Sequence, residues 1–212
     1  MSKPSQQPNA KKARNFASFD LPQAFKHLGI KKLQPWNLPV ESVPPSNFFK
    51  ERLERLQRLF DLRNYEESKK LLIDAFCEEA LMNTQHLKVW KGAALKATGL
   101  NGNVDYLIAE NKDYLEAPLL CIVEAKKDDF EQGLAQCLVE MQACQESNIN
   151  IDSPMDVFGI VTNGETWRFY KLTVTNEVYE TLPHSIGEQA FILGMLQRIF
   201  NDCEANLLRT IA

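Results

Sequence analysis

Residues 104–127, VDYLIAENKDYLEAPLLCIVEAKK, form the segment around which the chain makes sense. Two short runs rich in β-branched residues and leucine, 104–109 and 119–123, flank a polar loop. Both read as strands. Each carries charge where a plain core strand would be apolar: Asp105 at the start of the first run, Glu124 and Lys126 at the end of the second. Alternate side chains of a strand share a face, so Glu124 and Lys126 point one way and Ala125 the other. If the runs pair, Asp105 comes beside them. Two carboxylates and a lysine at one edge of an apolar sheet are costly to desolvate unless something binds there. A divalent metal ion suits that chemistry.

Moving outward from this segment, the pattern predicts a helix on either side and a sheet around it. Ser46 is placed as an N-cap, followed by an apolar stripe of Phe49, Leu53, Leu56 and Phe60 with Glu51, Arg52, Glu54, Arg55 and Arg58 on the other face. Asn64 is expected to cap a second helix that runs to about Met82. A first strand is expected from near His86, through Leu87 and Val89. The turn residues 99–103 would make it a hairpin with the 104–109 strand. Asp128 and Asp129 favour the start of a helix from about Phe130 to Gln145, with Phe130, Leu134, Cys137, Leu138 and Met141 facing inward. Residues 157–162 and 166–173 read as a hairpin around Asn163, Gly164 and Glu165, and an amphipathic helix from Ile192 to about Leu208 closes the chain. This order predicts an α/β sandwich with a mixed central sheet.

The 212 residues suit one domain, 46–212, preceded by a segment 1–45. Residues 1 to about 15 are polar and basic and are expected to be disordered. Pro22, Pro35, Pro39, Pro44 and Pro45 predict an extended segment lying over the domain surface. Residues 1–100 hold 17 Lys and Arg against 10 Asp and Glu, net +7, and residues 101–212 hold 7 against 18, net −11. A basic first half suits phosphate contacts, and an acidic second half would repel them unless metal neutralises part of it. Ordinary solvated helix faces would give the same asymmetry. The five cysteines form no CxxC pair and read as small buried hydrophobes in a reducing compartment. The first residues lack the apolar stretch of a signal peptide, and no apolar run approaches membrane-spanning length. A cytoplasmic protein with no membrane association is expected.

Metal-dependent phosphodiester cleavage needs hard oxygen ligands, a group that positions water, and positive charge for the transition state. Asp105 and Glu124 can supply ligands, the Ala125 carbonyl a third, and Lys126 the positive charge and the water contact. Asp105, then Glu124, Ala125 and Lys126 after a gap of 19 positions, resemble the PD-(D/E)XK nuclease superfamily, with Val104 in place of the proline. Gln136 falls where many such nucleases carry a glutamine that approaches the active site. The tyrosine of one subgroup, four residues on, is replaced by Glu140. Residues 67–73 resemble the first-helix motif of the nuclease domains of type I restriction enzyme R subunits. Residues 159–164 and 167–170 resemble the hairpin of the same domains.

The resemblance covers roughly residues 64–173. It implies a restriction-endonuclease-like α/β/α core with a mixed central sheet and an N-terminal helical extension. It implies a Mg²⁺- or Mn²⁺-dependent endonuclease acting on DNA, with Glu67, Asp105, Glu124 and Ala125 holding metal and Asp105, Glu124, Lys126 and Gln136 catalytic. A homodimer or a partner subunit of a larger nuclease system would fit such a domain, and so would a non-catalytic accessory domain of the same fold that binds nucleic acid. Locally, Asp105 could instead cap the preceding turn, Glu67 could be a surface glutamate, and Gln136 a polar neighbour of the core. Trp167 reads as a core residue of its hairpin rather than a base-stacking one. His27, His86 and His184 are scattered and give no zinc pattern.

Overall fold

Short-range signals account for most of the helices. A computed structural model of the chain describes residues 13–126 and 129–211. Of the disorder expected over residues 1 to about 15, the part up to residue 12 lies outside the described residues, as does the role of Asp128 in starting a helix; Arg14 and Asn15 are ordered instead, pairing in a strand with Leu100 and Asn101. After β1 (Arg14–Asn15) and a 3-10 turn (Phe16–Ser18) comes α1 (Leu21–Leu28). Asp20 caps its N-terminus and Gly29 ends it at φ 71°. An extended segment was expected here. The reason for the difference is that Pro22 falls in the first turn, where its missing N–H costs nothing. Residues 30–45 are extended. Within them β2 (Gln34–Pro35) pairs with Tyr179 and Glu180, and the Val43 N–H bonds the Ala190 carbonyl at 2.8 Å.

Helix α2 (Asn47–Leu59) begins at Ser46, whose hydroxyl accepts from the Phe49 N–H, and buries Phe49, Leu53 and Leu56. Helix α3 spans Glu66–Leu81. Its N-cap is Tyr65, with no side-chain cap bond. Asn64 does not cap it, because its amide is turned back onto Asp61 at 2.7 Å.

Strands β3 (Leu87–Lys91) and β6 (Tyr106–Glu110) pair antiparallel as expected. Residues 100–103 are not a turn between them. A separate hairpin, β4 (Ala94–Ala97) and β5 (Leu100–Asn103), is inserted there, with the turn at Gly99, φ 72°. Burial of Leu95 and Leu100 favours this arrangement over an exposed loop. β7 (Leu119–Ala125) follows, then α4 (Phe130–Ile149), β8 (Val157–Thr162), β9 (Thr166–Leu172), β10 (Val178–Glu180), β11 (His184–Ser185) and α5 (Gln189–Ile211).

The main sheet has the order β2-β10-β9-β8-β7-β6-β3, with β11 also on β9. β7 and β8 run parallel, joined by α4, and β6 lies antiparallel on the other side of β7. The sheet is therefore mixed, and the protein has an α/β architecture. All seven residues of β7 are buried, as a central strand covered on both faces requires. Helices α2, α3 and α5 share one apolar core with Ile108, Val123 and Ile160. Helix α4 shares the other with Leu107, Ile122 and Val161. A small sheet, β1-β5-β4, and α1 cover the outer side of α4. Thirteen of the twenty α4 residues are consequently buried, so this helix is not a one-sided amphipathic one. All five cysteines are buried and free. Among the described residues no helix is long and apolar enough to cross a membrane.

Candidate functional site

Pleating decides where the charged residues go. Ile122 packs on the α4 side of β7, so Glu124, two residues on, faces α4 as well. Glu124 is fully buried, although a carboxylate rarely is without partners. Its Oε1 lies 2.8 Å from the Lys126 ammonium, and its Oε2 has no hydrogen-bond partner. Lys126 is just beyond the strand, held there by its N–H on the Thr162 carbonyl at 2.9 Å. Burial, then the neighbouring charge of Asp105, pushes the Glu124 carboxyl up to about 7. Burial works against the Lys126 charge, but Glu124 in front of it holds the ammonium above the ordinary lysine value. Lys126 is thus a fixed cation, suited to orienting and neutralising rather than to accepting a proton.

Asp105 sits one residue before β6 and closes the edge from the side. Its Oδ2 accepts from the Ala125 N–H at 2.9 Å, tying it to the end of β7. Its Oδ1 is 3.0 Å from the Lys70 ammonium. The reading of Asp105 as a cap for the preceding turn does not describe these contacts. The side chains of Asp105 and Lys126 each retain 21% exposure while Glu124 retains none, so the site opens to solvent at one end only.

Gln136 reaches the same place from α4. It is buried, and its Nε2 donates to Glu140 Oε1 at 2.9 Å. Glu140 is fully buried too, and the charge of Glu124 acts on it. Its own pKa is driven well above the carboxylate range, first by burial and then by Glu124. Sequence reasoning noted Glu140 only as a departure from a motif. Its spacing of four from Gln136 was the available signal, since residues four apart on a helix share a face.

Glu67 is placed differently. Its side chain is 83% exposed, and it joins the site only through Lys70, whose ammonium is 2.6 Å from Glu67 Oε1. Lys70 was missed by sequence reasoning; only its position one helical turn after Glu66 and Glu67 marked it. The structure therefore brings together Asp105, Glu124, Ala125, Lys126 and Gln136 and leaves Glu67 at the margin. Trp167 and Tyr170 are buried in the core, which excludes them from stacking on a ligand.

Among the described residues, no group of three or more His, Cys, Asp or Glu side chains is arranged to hold a metal ion. Two carboxylates beside the last peptide of β7 are what remain. As hard oxygen donors, one with an unpartnered buried oxygen, they suit a divalent cation completed by a carbonyl and water.

No family model matches the chain. A curated protein, Crinkler effector protein 5 of Phytophthora infestans, is 44% identical to it over 50 residues, or 24% of this chain. The matched stretch spans 13% of that protein's length.

Proposed function

We propose that the chain is a Mg²⁺- or Mn²⁺-dependent endonuclease that hydrolyses DNA phosphodiester bonds on a restriction-endonuclease-like core. The observation that carries this reading is Glu124: a fully buried carboxylate with a free oxygen, at the end of the central strand, paired to a lysine two residues on. Helix α3, strands β3, β6 and β7, the crossover α4 and the parallel strand β8 supply the element order expected of such a core. Asp105, Glu124 and the Ala125 carbonyl would hold the metal. Glu67 is left out of that set because Lys70 holds it at the surface.

The chemistry supplied by a bound divalent ion is polarisation of the phosphate and a lowered pKa for water. Asp105 is oriented for its part by the Ala125 N–H and Lys70. Lys126 directs a water toward the phosphorus and balances charge on the phosphoryl oxygens as it builds. The walls around Glu124, from β7 and α4, keep bulk water from its carboxylate and strengthen its hold on a cation. Five free buried cysteines suit a reducing compartment, and we place the protein in the cytoplasm.

One observation favours a second reading, a non-catalytic domain of this fold that serves as a nucleic-acid-binding or partner subunit. The Lys70 ammonium already stands at Asp105 Oδ1, where a metal would compete with it. Incubation with plasmid and single-stranded DNA plus Mg²⁺ or Mn²⁺ decides between them. Cleavage by the wild type that is lost in Glu124→Ala and Lys126→Ala is expected. Cleavage that survives either change overturns the assignment, and a wild type that neither cleaves nor binds Mn²⁺ leaves the second reading.

A further inference from the structure

Lys69 is the only buried Lys or Arg among the described residues, at 6% exposure. It heads the buried stripe of α3, four residues before Ile73 and seven before Phe76, where a helix packed on a sheet would carry an apolar residue. Buried lysines are rare unless an acid meets them. Among the described residues the Lys69 ammonium has no ion-pair or hydrogen-bond partner, and it is not sealed from solvent. The stem is thus in the core and the charge emerges at the surface. Its place is the rim of the site. The next residue, Lys70, sets its ammonium 3.0 Å from Asp105. The Lys69 carbonyl lies against the turn after β8, where a Cβ added at Gly164 would stand 3.4 Å from it. That turn follows Thr162, whose carbonyl holds the Lys126 N–H at 2.9 Å.

Charge decides what Lys69 can do. Lys70 is met by Glu67 and Asp105, and Lys126 by Glu124, so both are neutralised before any substrate arrives. A phosphodiester would bring negative charge to a rim that already carries Glu66, Asp105 and Glu124. Of the three lysines, Lys69 alone has no acid of its own. An ammonium on a desolvated stem also gains more from an anion than one surrounded by water. We infer that Lys69 is a phosphate-binding residue: its ammonium holds a backbone phosphate of the nucleic-acid strand on the α3 side of β7. The inference rests on the proposed action on DNA, and the contact itself needs no metal. Contacts of this kind fix the register of the strand and carry no sequence information.

Lys69→Met keeps an unbranched stem and removes the charge. Its thermal midpoint without DNA is expected at or above that of wild type, because an unpaired charge leaves the interior. A fall of more than about 4 °C would mean that the ammonium serves the fold, and overturns the proposal. Lys31→Met is the control. It removes the same charge from an exposed position three residues after Leu28, whose carbonyl accepts from Asn176, beyond the end of β9 remote from the 163–165 turn.

Binding is read in EDTA from the fluorescence anisotropy of labelled single-stranded and duplex oligonucleotides, over roughly 50 to 200 mM salt. Wild type is expected to bind at least one of them. Lys69→Met should bind it about 5- to 10-fold more weakly, with the slope of log K against log salt smaller by about 0.9 on duplex or about 0.7 on single strand. Lys31→Met should stay within about twofold of wild type. An unchanged slope in Lys69→Met, or an equal loss in Lys31→Met, overturns the proposal and leaves the proposed activity standing. A wild type that binds neither oligonucleotide overturns the DNA reading itself, and this contact with it.

Discussion

Lys70 ties three acids together. Its ammonium lies 2.6 Å from Glu67, 3.0 Å from Asp105 and 3.9 Å from Glu66. Burial works against its charge, yet hydrogen bonds to Glu67 and Asp105 lift its pKa above the ordinary lysine value. With the folded pKa raised, its contribution to stability is fully present below about pH 10 and is lost only as pH rises beyond that. The contacts are unequal. Asp105 is mostly buried and depends on Lys70, whereas Glu67 is exposed. Lys70→Met should therefore lower the unfolding free energy by about 2 kcal/mol. Glu67→Ala should change it by less than about 0.5 kcal/mol. Urea denaturation at neutral pH measures both. Asp105, Glu124 and Lys126 were legible in the sequence because each interrupts an apolar run. Lys70 was not, because nothing local says that a helix lysine will lean across to a strand.

Helix α4 is the element that shapes the site. It crosses β7 and β8 so closely at Gly133 that an added Cβ would stand 2.8 Å from Lys126 Cγ and 2.9 Å from Val161 Cγ1. A side chain there would have to push Lys126 off Glu124. Gly133→Ala should cost about 1–3 kcal/mol through overpacking. If Lys126 serves the chemistry, the change should also reduce DNA cleavage by about 100-fold. A cleavage assay together with near-UV circular dichroism would separate the local displacement from unfolding. Gly159 serves the same crossover on β8, where a Cβ would meet Met141 Sδ and Cys137 Sγ. The existence of α4 was readable from Asp129 and the apolar residues after it. Its full burial was not, because the layer over its outer side comes from Phe16, α1 and the β4–β5 hairpin, all distant in the chain.

At the scale of the whole molecule, two apolar cores flank one sheet, and every cysteine falls inside them. Burial pushes the Cys77 thiol up to about 12. An acid whose pKa rises on folding costs stability as pH climbs from its ordinary value toward the raised one, so the fold should weaken between about pH 9 and 12. The native protein should react with no thiol reagent over minutes at pH 8, whereas all five thiols should titrate at once in denaturant. Fast labelling of any cysteine in the native state would show that the cores open locally.

The sequence by itself determined the Ser46 cap, the α2 stripe, the strand pair that carries Asp105 and Glu124, and the hairpin after the crossover helix. Each rests on residues within one turn or one strand of each other, where propensity and pleating act without help. Only the tertiary structure decided that Glu124 and Glu140 are both dry, and that Lys70 rather than Glu67 meets Asp105. Those outcomes depend on which layers cover which faces. Burial is a property of the packed layers, and no single segment of the chain carries it.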